Sequence, residues 1–318
     1  MNSPRCEVDV VTKTEGYLGA TVLDRTPRHT PSMPDSGAPT HSRVTESNSM
    51  VRHPMAEALA WAVAILSAIA AVAGLFWSTL YRDAPFWIQQ ARGIDLATLL
   101  LAVPILVVGL LLLRRGWQPA MSVVIGVLLY DIYNYTIYST SVAMNRLSFV
   151  YIAILGLCVW SLIQLALPVA TTSSVVLRMD TSVARVVGGF LLAVVVLFGL
   201  LWLSQIATTT FTGVAPADVT RSGLPANPVY ALDLAIFLPL AVIAAIGVLR
   251  GVAPAANFAV PMLLWVFLTS AGVAGGFLFA ARDGDQVPIP ILVLIAAIGI
   301  VAIVLAGVAS VGASKAVA

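Results

Sequence analysis

From Met55 onward the chain alternates long apolar runs with short polar breaks, and each run is long enough to cross a bilayer as a helix, which takes about 20 residues. Eight such runs fall at roughly residues 55–80, 94–113, 117–139, 147–168, 185–208, 228–249, 254–280 and 288–311. Barrel strands do not fit, because they would be shorter and would alternate polar with apolar positions. A lipid-embedded backbone must satisfy its own hydrogen bonds, and helices do so within each segment. The predicted fold class is therefore all-α: a polytopic membrane helix bundle of about eight transmembrane helices over residues 55–311, followed by a short C-terminal tail at 312–318. Pro104 and Pro239 fall inside runs and predict local kinks.

Residues 1–54 break the pattern. They mix charges of both signs, carry Pro27, Pro31, Pro34 and Pro39, and show neither helical nor strand periodicity, which predicts a disordered cytoplasmic tail. The alternative is a true start at Met50 or Met55. No apolar stretch of the kind a secretory signal needs occurs in roughly the first 30 residues.

Composition agrees with the pattern and narrows the chemistry. Charged residues make up 10% of the chain, against about 25% in soluble domains, so the lipid bilayer is the first partner implied. The net charge of +2 is spread thinly, and nothing forms the clustered basic face that nucleic acid requires. All three histidines (His29, His41, His53) precede the first apolar run, and the only lysines are Lys13 and Lys315. The spans thus hold no imidazole for a metal or haem and no amine for a Schiff base. No metal site and no cofactor is expected. Cys6 and Cys158 lie in surroundings too different to predict a disulfide.

Arginine and lysine set the expected orientation. With the amino terminus inside, Arg52, Arg114, Arg115, Arg178, Arg185, Arg250 and Lys315 are cytoplasmic, against Arg82, Arg92, Arg146, Arg221 and Arg282 outside. The excess follows the positive-inside rule and puts both termini in the cytoplasm. Asp83, Asp218, Asp283 and Asp285 then share the outer loops.

The stretch Tyr130-Asp131-Ile132-Tyr133-Asn134-Tyr135-Thr136-Ile137-Tyr138 is the strongest pointer to a site, since an unpaired aspartate facing lipid near the bilayer centre costs about 2.5–3.5 kcal/mol. Asp131, Asn134, Tyr135 and Tyr138 stand at i, i+3, i+4 and i+7, one helical face. Asp95 and Asp233 fall in the outer halves of the second and sixth spans, with Arg92, Asn145, Arg146 and Asn227 near the same side. Together these ten residues form the candidate ligand-binding set, with Arg92 or Arg146 expected as counter-ion to Asp131. The competing structural reading is that Asp95, Asn227 and Asp233 serve helix ends. Under it, Tyr138 and Tyr151 are interfacial anchors, and Asp131 is a packing salt bridge.

Trp77, Trp87, Trp117 and Trp202 read as interface-belt residues. Gly272 and Gly276 form a GxxxG spacing, read as helix packing rather than as a dimer signal. Cys158 and Gln164 read as packing residues. Thr269-Ser270 lacks a conventional base in the spans and is set aside as a nucleophile. No convincing internal repeat is visible; the nearest echo is Ile94-Asp95 in the second span and Leu232-Asp233 in the sixth.

The stretches ARGID (Ala91 to Asp95), Arg114-Arg115-Gly116, YDIYNYTIYS (Tyr130 to Ser139) with MNRLSFVYIAILGL (Met144 to Leu157), and NPVYALDLAIFLPL (Asn227 to Leu240) together resemble a group of multispanning bacterial membrane proteins with no assigned activity. The resemblance covers roughly residues 90–250 and implies a bacterial inner-membrane location; the high alanine and valine content points to an actinobacterium. It supplies no activity. Three functions remain: binding or translocation of a small solute or ion through an outward-facing polar pocket; a non-catalytic structural or accessory membrane protein; and an enzyme on lipid-linked substrates with Asp83 or Asp131 as base. The last lacks a DxxDG metal motif and a soluble catalytic domain.

Overall fold

The computed structural model describes residues 54–171 and 179–315. The expected disordered tail at 1–54 lies, but for Pro54, outside the described residues, as do 316–318 of the C-terminal tail. Eight helices are long and apolar enough to cross a membrane. They are α1 (Pro54–Phe76), α2 (Pro85–Arg114), α3 (Ala120–Thr140), α4 (Ser148–Thr171), α5 (Thr181–Thr212), α6 (Pro228–Arg250), α7 (Ala259–Arg282) and α8 (Ile289–Lys315). No strand occurs among the described residues. The protein is a multi-pass, all-helical membrane protein.

The ends differ from expectation where polar side chains are buried. Helix α2 starts at Pro85, nine residues before the expected position 94, because Trp87, Gln89 and Ala91 in its first turns are buried against other elements. Gln89 Nε2 donates to Asp283 (3.2 Å) and Asp285 (2.9 Å), fastening this start to the α7–α8 loop. Helix α7 starts at Ala259 rather than 254: Gly251 ends α6 at φ 66°, and a separate turn at Ala253–Ala256 intervenes.

Both prolines expected to kink their helices are preceded by a widened π-type turn, Thr98–Ala102 before Pro104 and Asp233–Phe237 before Pro239. In each the closing bond spans five residues, Val103 N–H to the Thr98 carbonyl and Leu238 N–H to the Asp233 carbonyl. A proline cannot donate to the carbonyl four residues back, and the wider turn absorbs that loss. Helices α2 and α6 thus share a plan: proline at the first position, a buried aspartate, a widened turn and a proline.

Helix α3 is the hub, with 72% of its spanning window buried, against 22% for α5 and α8. Helices α1 to α4 form a closed group, with α1 against α4 and α2 and with α3 against α4. Helix α7 packs on α2 at backbone distance: a β-carbon on Gly93 would meet the backbone of Gly272, Gly275 and Gly276. The GxxxG pair is therefore used within the chain. Helices α5 and α6 pair with each other, while α5 and α8 barely touch.

Candidate functional site

The three membrane aspartates occupy three different environments. Asp95, ten residues into α2, is 5% exposed and wedged against α1, where a β-carbon on Gly74 would collide with its carboxylate. The Tyr81 hydroxyl donates to its Oδ2 at 2.6 Å. The Tyr138 hydroxyl faces its Oδ1 at 3.0 Å and the Ala91 carbonyl at 2.8 Å, its single proton serving one of them at a time. Tyr81 lies in the α1–α2 loop; burial, then the Asp95 charge, holds its hydroxyl well above the ordinary tyrosine range, so it remains a donor. Rings of Tyr81, Tyr135, Tyr138 and Tyr151 close over this site, with the Tyr138–Tyr151 centroids 5.0 Å apart. Tyr138 and Tyr151 are buried, not interfacial.

Asp131 is 1% exposed and lines neither the large cavity nor the smaller hollow described below; it lies near Tyr135 and Cys158 at the packed α3–α4 seam. Its Oδ1 has no hydrogen-bond partner. The expected shared face divides: Asp131 and Tyr135 turn to α1 and α4, Tyr130, Tyr133 and Asn134 turn to the other side, and Tyr138 stands between, packed on Tyr135 and Tyr151 and also lining the large cavity. Among the described residues the one ion pair is Arg114–Glu57, so neither Arg92 nor Arg146 is the counter-ion of Asp131. Arg92 instead acts on Asp95, in its own helix, and the Arg146 guanidinium lies over the Trp77 ring at 5.2 Å. Asn145 and Arg146 line a separate hollow of about 320 Å³ with Tyr81 and Trp77.

The other side of α3 faces a cavity of about 580 Å³ walled by α2, α3, α5, α6, α7 and the first turns of α8. Along α7 it runs from Phe277 to Trp265, a depth of about 18 Å at 1.5 Å per residue. Most of its wall is aliphatic or aromatic. Its mouth is taken as the end lined by Ala217, Asp218, Arg221 and Asn227, on the face that also carries Asp83, Asp283 and Asp285. There the short helix Ala217–Ser222 contributes Asp218 and Arg221. Asn227 caps α6 by accepting from Val229 N–H at 2.9 Å and donates to Asp218 at 2.7 Å; Tyr230 donates to the same Asp218 oxygen at 2.8 Å. The Arg221 guanidinium sits 4.7 Å above the Phe86 ring.

Asp233 is the acid of this cavity. It lies one and a half turns below the Asn227 cap, inside the widened turn of α6, and is 5% exposed. Its Oδ2 accepts from the Trp202 indole at 2.7 Å, and its Oδ1 has no partner. The Tyr133 hydroxyl is near enough to interact with the carboxylate as a weak hydrogen bond, short of a well-formed one to Oδ1. Trp202 stacks near Tyr230 (4.9 Å), and Tyr133 meets Trp265 edge-on (5.6 Å), so each of the two aromatic neighbours of the carboxylate carries a second ring beside it. Trp265 Nε1 and Thr269 Oγ1, four residues apart on α7, are also buried without partners beside the cavity.

Of the ten sequence candidates, Asn134, Tyr138, Asp233 and Asn227 line the cavity, Asp95 lies behind Tyr138, and Asp131, Tyr135, Arg92, Asn145 and Arg146 do not line it. Trp202, expected in the interface belt, is instead the hydrogen-bond partner of Asp233. The sequence singles out neither Trp265 nor Tyr230, because their neighbours come from other spans, and Thr269 enters only as part of the Thr269-Ser270 pair set aside as a nucleophile. No group of three or more potential metal ligands occurs among the described residues. Comparison with protein-family models, curated proteins and solved structures finds no match.

Proposed function

We propose that this membrane protein binds a small organic solute in the cavity between α3, α5, α6 and α7, with Asp233 as the polar anchor. The observation that carries this reading is a cavity of about 580 Å³ whose wall holds a carboxylate with one oxygen unpartnered. Buried polar groups are normally satisfied, and an exception beside an open cavity is best explained by a partner that comes and goes. Ionisable residues at membrane depth mark solute pathways more often than they stabilise a bundle. The widened turn at Asp233 belongs to a class of helix irregularity frequent at functional sites. The positive-inside bias supports a cavity open to the outside of the cell.

The test is solvent access. Val273→Cys, midway down the cavity wall, is made in a Cys6→Ala, Cys158→Ala background and treated in intact cells with a membrane-impermeant maleimide. Labelling within minutes supports an outward, water-filled cavity. A folded protein labelled neither in intact cells nor in opened membranes has a sealed cavity and no solute site.

A further inference from the structure

The charges around the cavity say what kind of solute it takes. Its wall contains three ionisable side chains of full charge: Asp218 and Arg221 at the mouth, and Asp233 below them. The mouth pair cancels. The deeper part therefore carries a single carboxylate with no cation within ion-pair distance among the described residues. An unpaired buried charge is costly, and a ligand of opposite sign relieves that cost. A cation gains there and an anion does not.

The walls refine the choice. Two aromatic pairs line the cavity near Asp233, Trp202 with Tyr230 and Tyr133 with Trp265, and one ring of each pair, Trp202 and Tyr133, neighbours the carboxylate. Aromatic faces attract cations through the ring quadrupole, more strongly when water is excluded, and cages of this composition hold quaternary and alkylated ammonium groups. A bare metal ion would need several oxygen ligands, and here the depth offers one carboxylate. The remaining wall, from Val194 and Phe198 to Ile291 and Ile295, is apolar and suits a hydrocarbon body.

Resting on the proposed solute site, we infer that the ligand is an amphipathic organic cation, its charged centre seated between Trp202 and Trp265 against Asp233 and its apolar body lying along α5 and α8.

The experiment uses two probes of one shape and opposite charge, tetraphenylphosphonium and tetraphenylborate, with saturable binding measured on the purified full-length chain. Wild type is expected to bind the phosphonium and not the borate. Asp233→Asn is expected to weaken phosphonium binding at least about tenfold with its unfolding temperature unchanged. Trp265→Leu, which removes one wall and leaves the carboxylate, gives an independent loss should Asp233→Asn fold poorly. Equal binding of both probes, or phosphonium binding indifferent to both substitutions, overturns the cation assignment and leaves a charge-blind apolar site. Binding of neither probe by a protein whose Val273→Cys is labelled overturns it too, with the solute cavity intact. An unlabelled Val273→Cys would remove the cavity reading itself.

Discussion

Asp95 and Asp233 are the buried acids of two helices of one plan, Asp95 three residues before its widened turn and Asp233 at the start of its own, and their surroundings differ in completeness. Around Asp95, α1 closes the bundle: Gly74 lets the backbone approach, and Tyr81 and Tyr138 meet the carboxylate oxygens. Around Asp233 the equivalent closure is missing. Helices α5 and α8 stay apart, one indole serves one oxygen, and the other oxygen is left beside a cavity. A buried acid that is fully hydrogen-bonded fixes helix packing, whereas one left half-satisfied stores a cost that a ligand can relieve. The α1 and α4 side of α3 reads as scaffold and the α5 and α6 side as the working half.

That division breaks most visibly at glycines. Gly93→Val would push side-chain atoms into the α7 backbone at Gly275 and Gly276, and no flexible group there can yield; the expected outcome is loss of monodisperse protein on size exclusion. Gly199→Val in α5, where the nearest atom to a new β-carbon is Leu238 Cδ1 at 3.9 Å, is expected to leave the elution profile unchanged.

The hydroxyls come next. Tyr81→Phe removes a buried donor from the Asp95 carboxylate, and the expected loss is about 1–3 kcal/mol in denaturant unfolding. Tyr230→Phe removes a donor from Asp218 at the partly exposed mouth, where water substitutes, and less than about 1 kcal/mol is expected. Equal losses would erase the distinction between a sealed and an open half.

Asp131 gives the smallest effect and the sharpest contrast with its prominence in the sequence. It is buried with Oδ1 unpartnered among the described residues and lines neither described cavity, so Asp131→Leu should be neutral or raise stability by up to about 1 kcal/mol. A large loss of stability would reveal a partner for the carboxylate in the folded state.

The spans and their order were legible because a bilayer demands about 20 apolar residues whatever their neighbours. The helix starts were less so: Gln89, Gln90 and Arg92 look like loop residues until Asp283, Asp285 and α7 are placed against them. Helical spacing put Asp131, Asn134, Tyr135 and Tyr138 on one face, but a helix packed all round has no single inward side. With α1 and α4 on one flank of α3 and the cavity on the other, residues three and four apart are sent to different fates. The Asp233–Trp202 bond joins positions 31 apart, and no local pattern announces it. The echo of Asp95 and Asp233 was visible as two dipeptides; the widened turns, after Asp95 and beginning at Asp233, exist only in the folded backbone.

The most direct measurement is the unfolding temperature of Asp95→Asn beside that of Asp233→Asn, in the same detergent and without ligand. An asparagine at 95 offers one acceptor oxygen where two hydroxyls now face a carboxylate, and a fall of roughly 3 °C or more is expected. At 233 the amide oxygen still accepts from Trp202 while the uncompensated charge is gone, so the midpoint should hold or rise. A fall at 233 as large as that at 95 would contradict the account, because it would make Asp233 as much a part of the scaffold as Asp95.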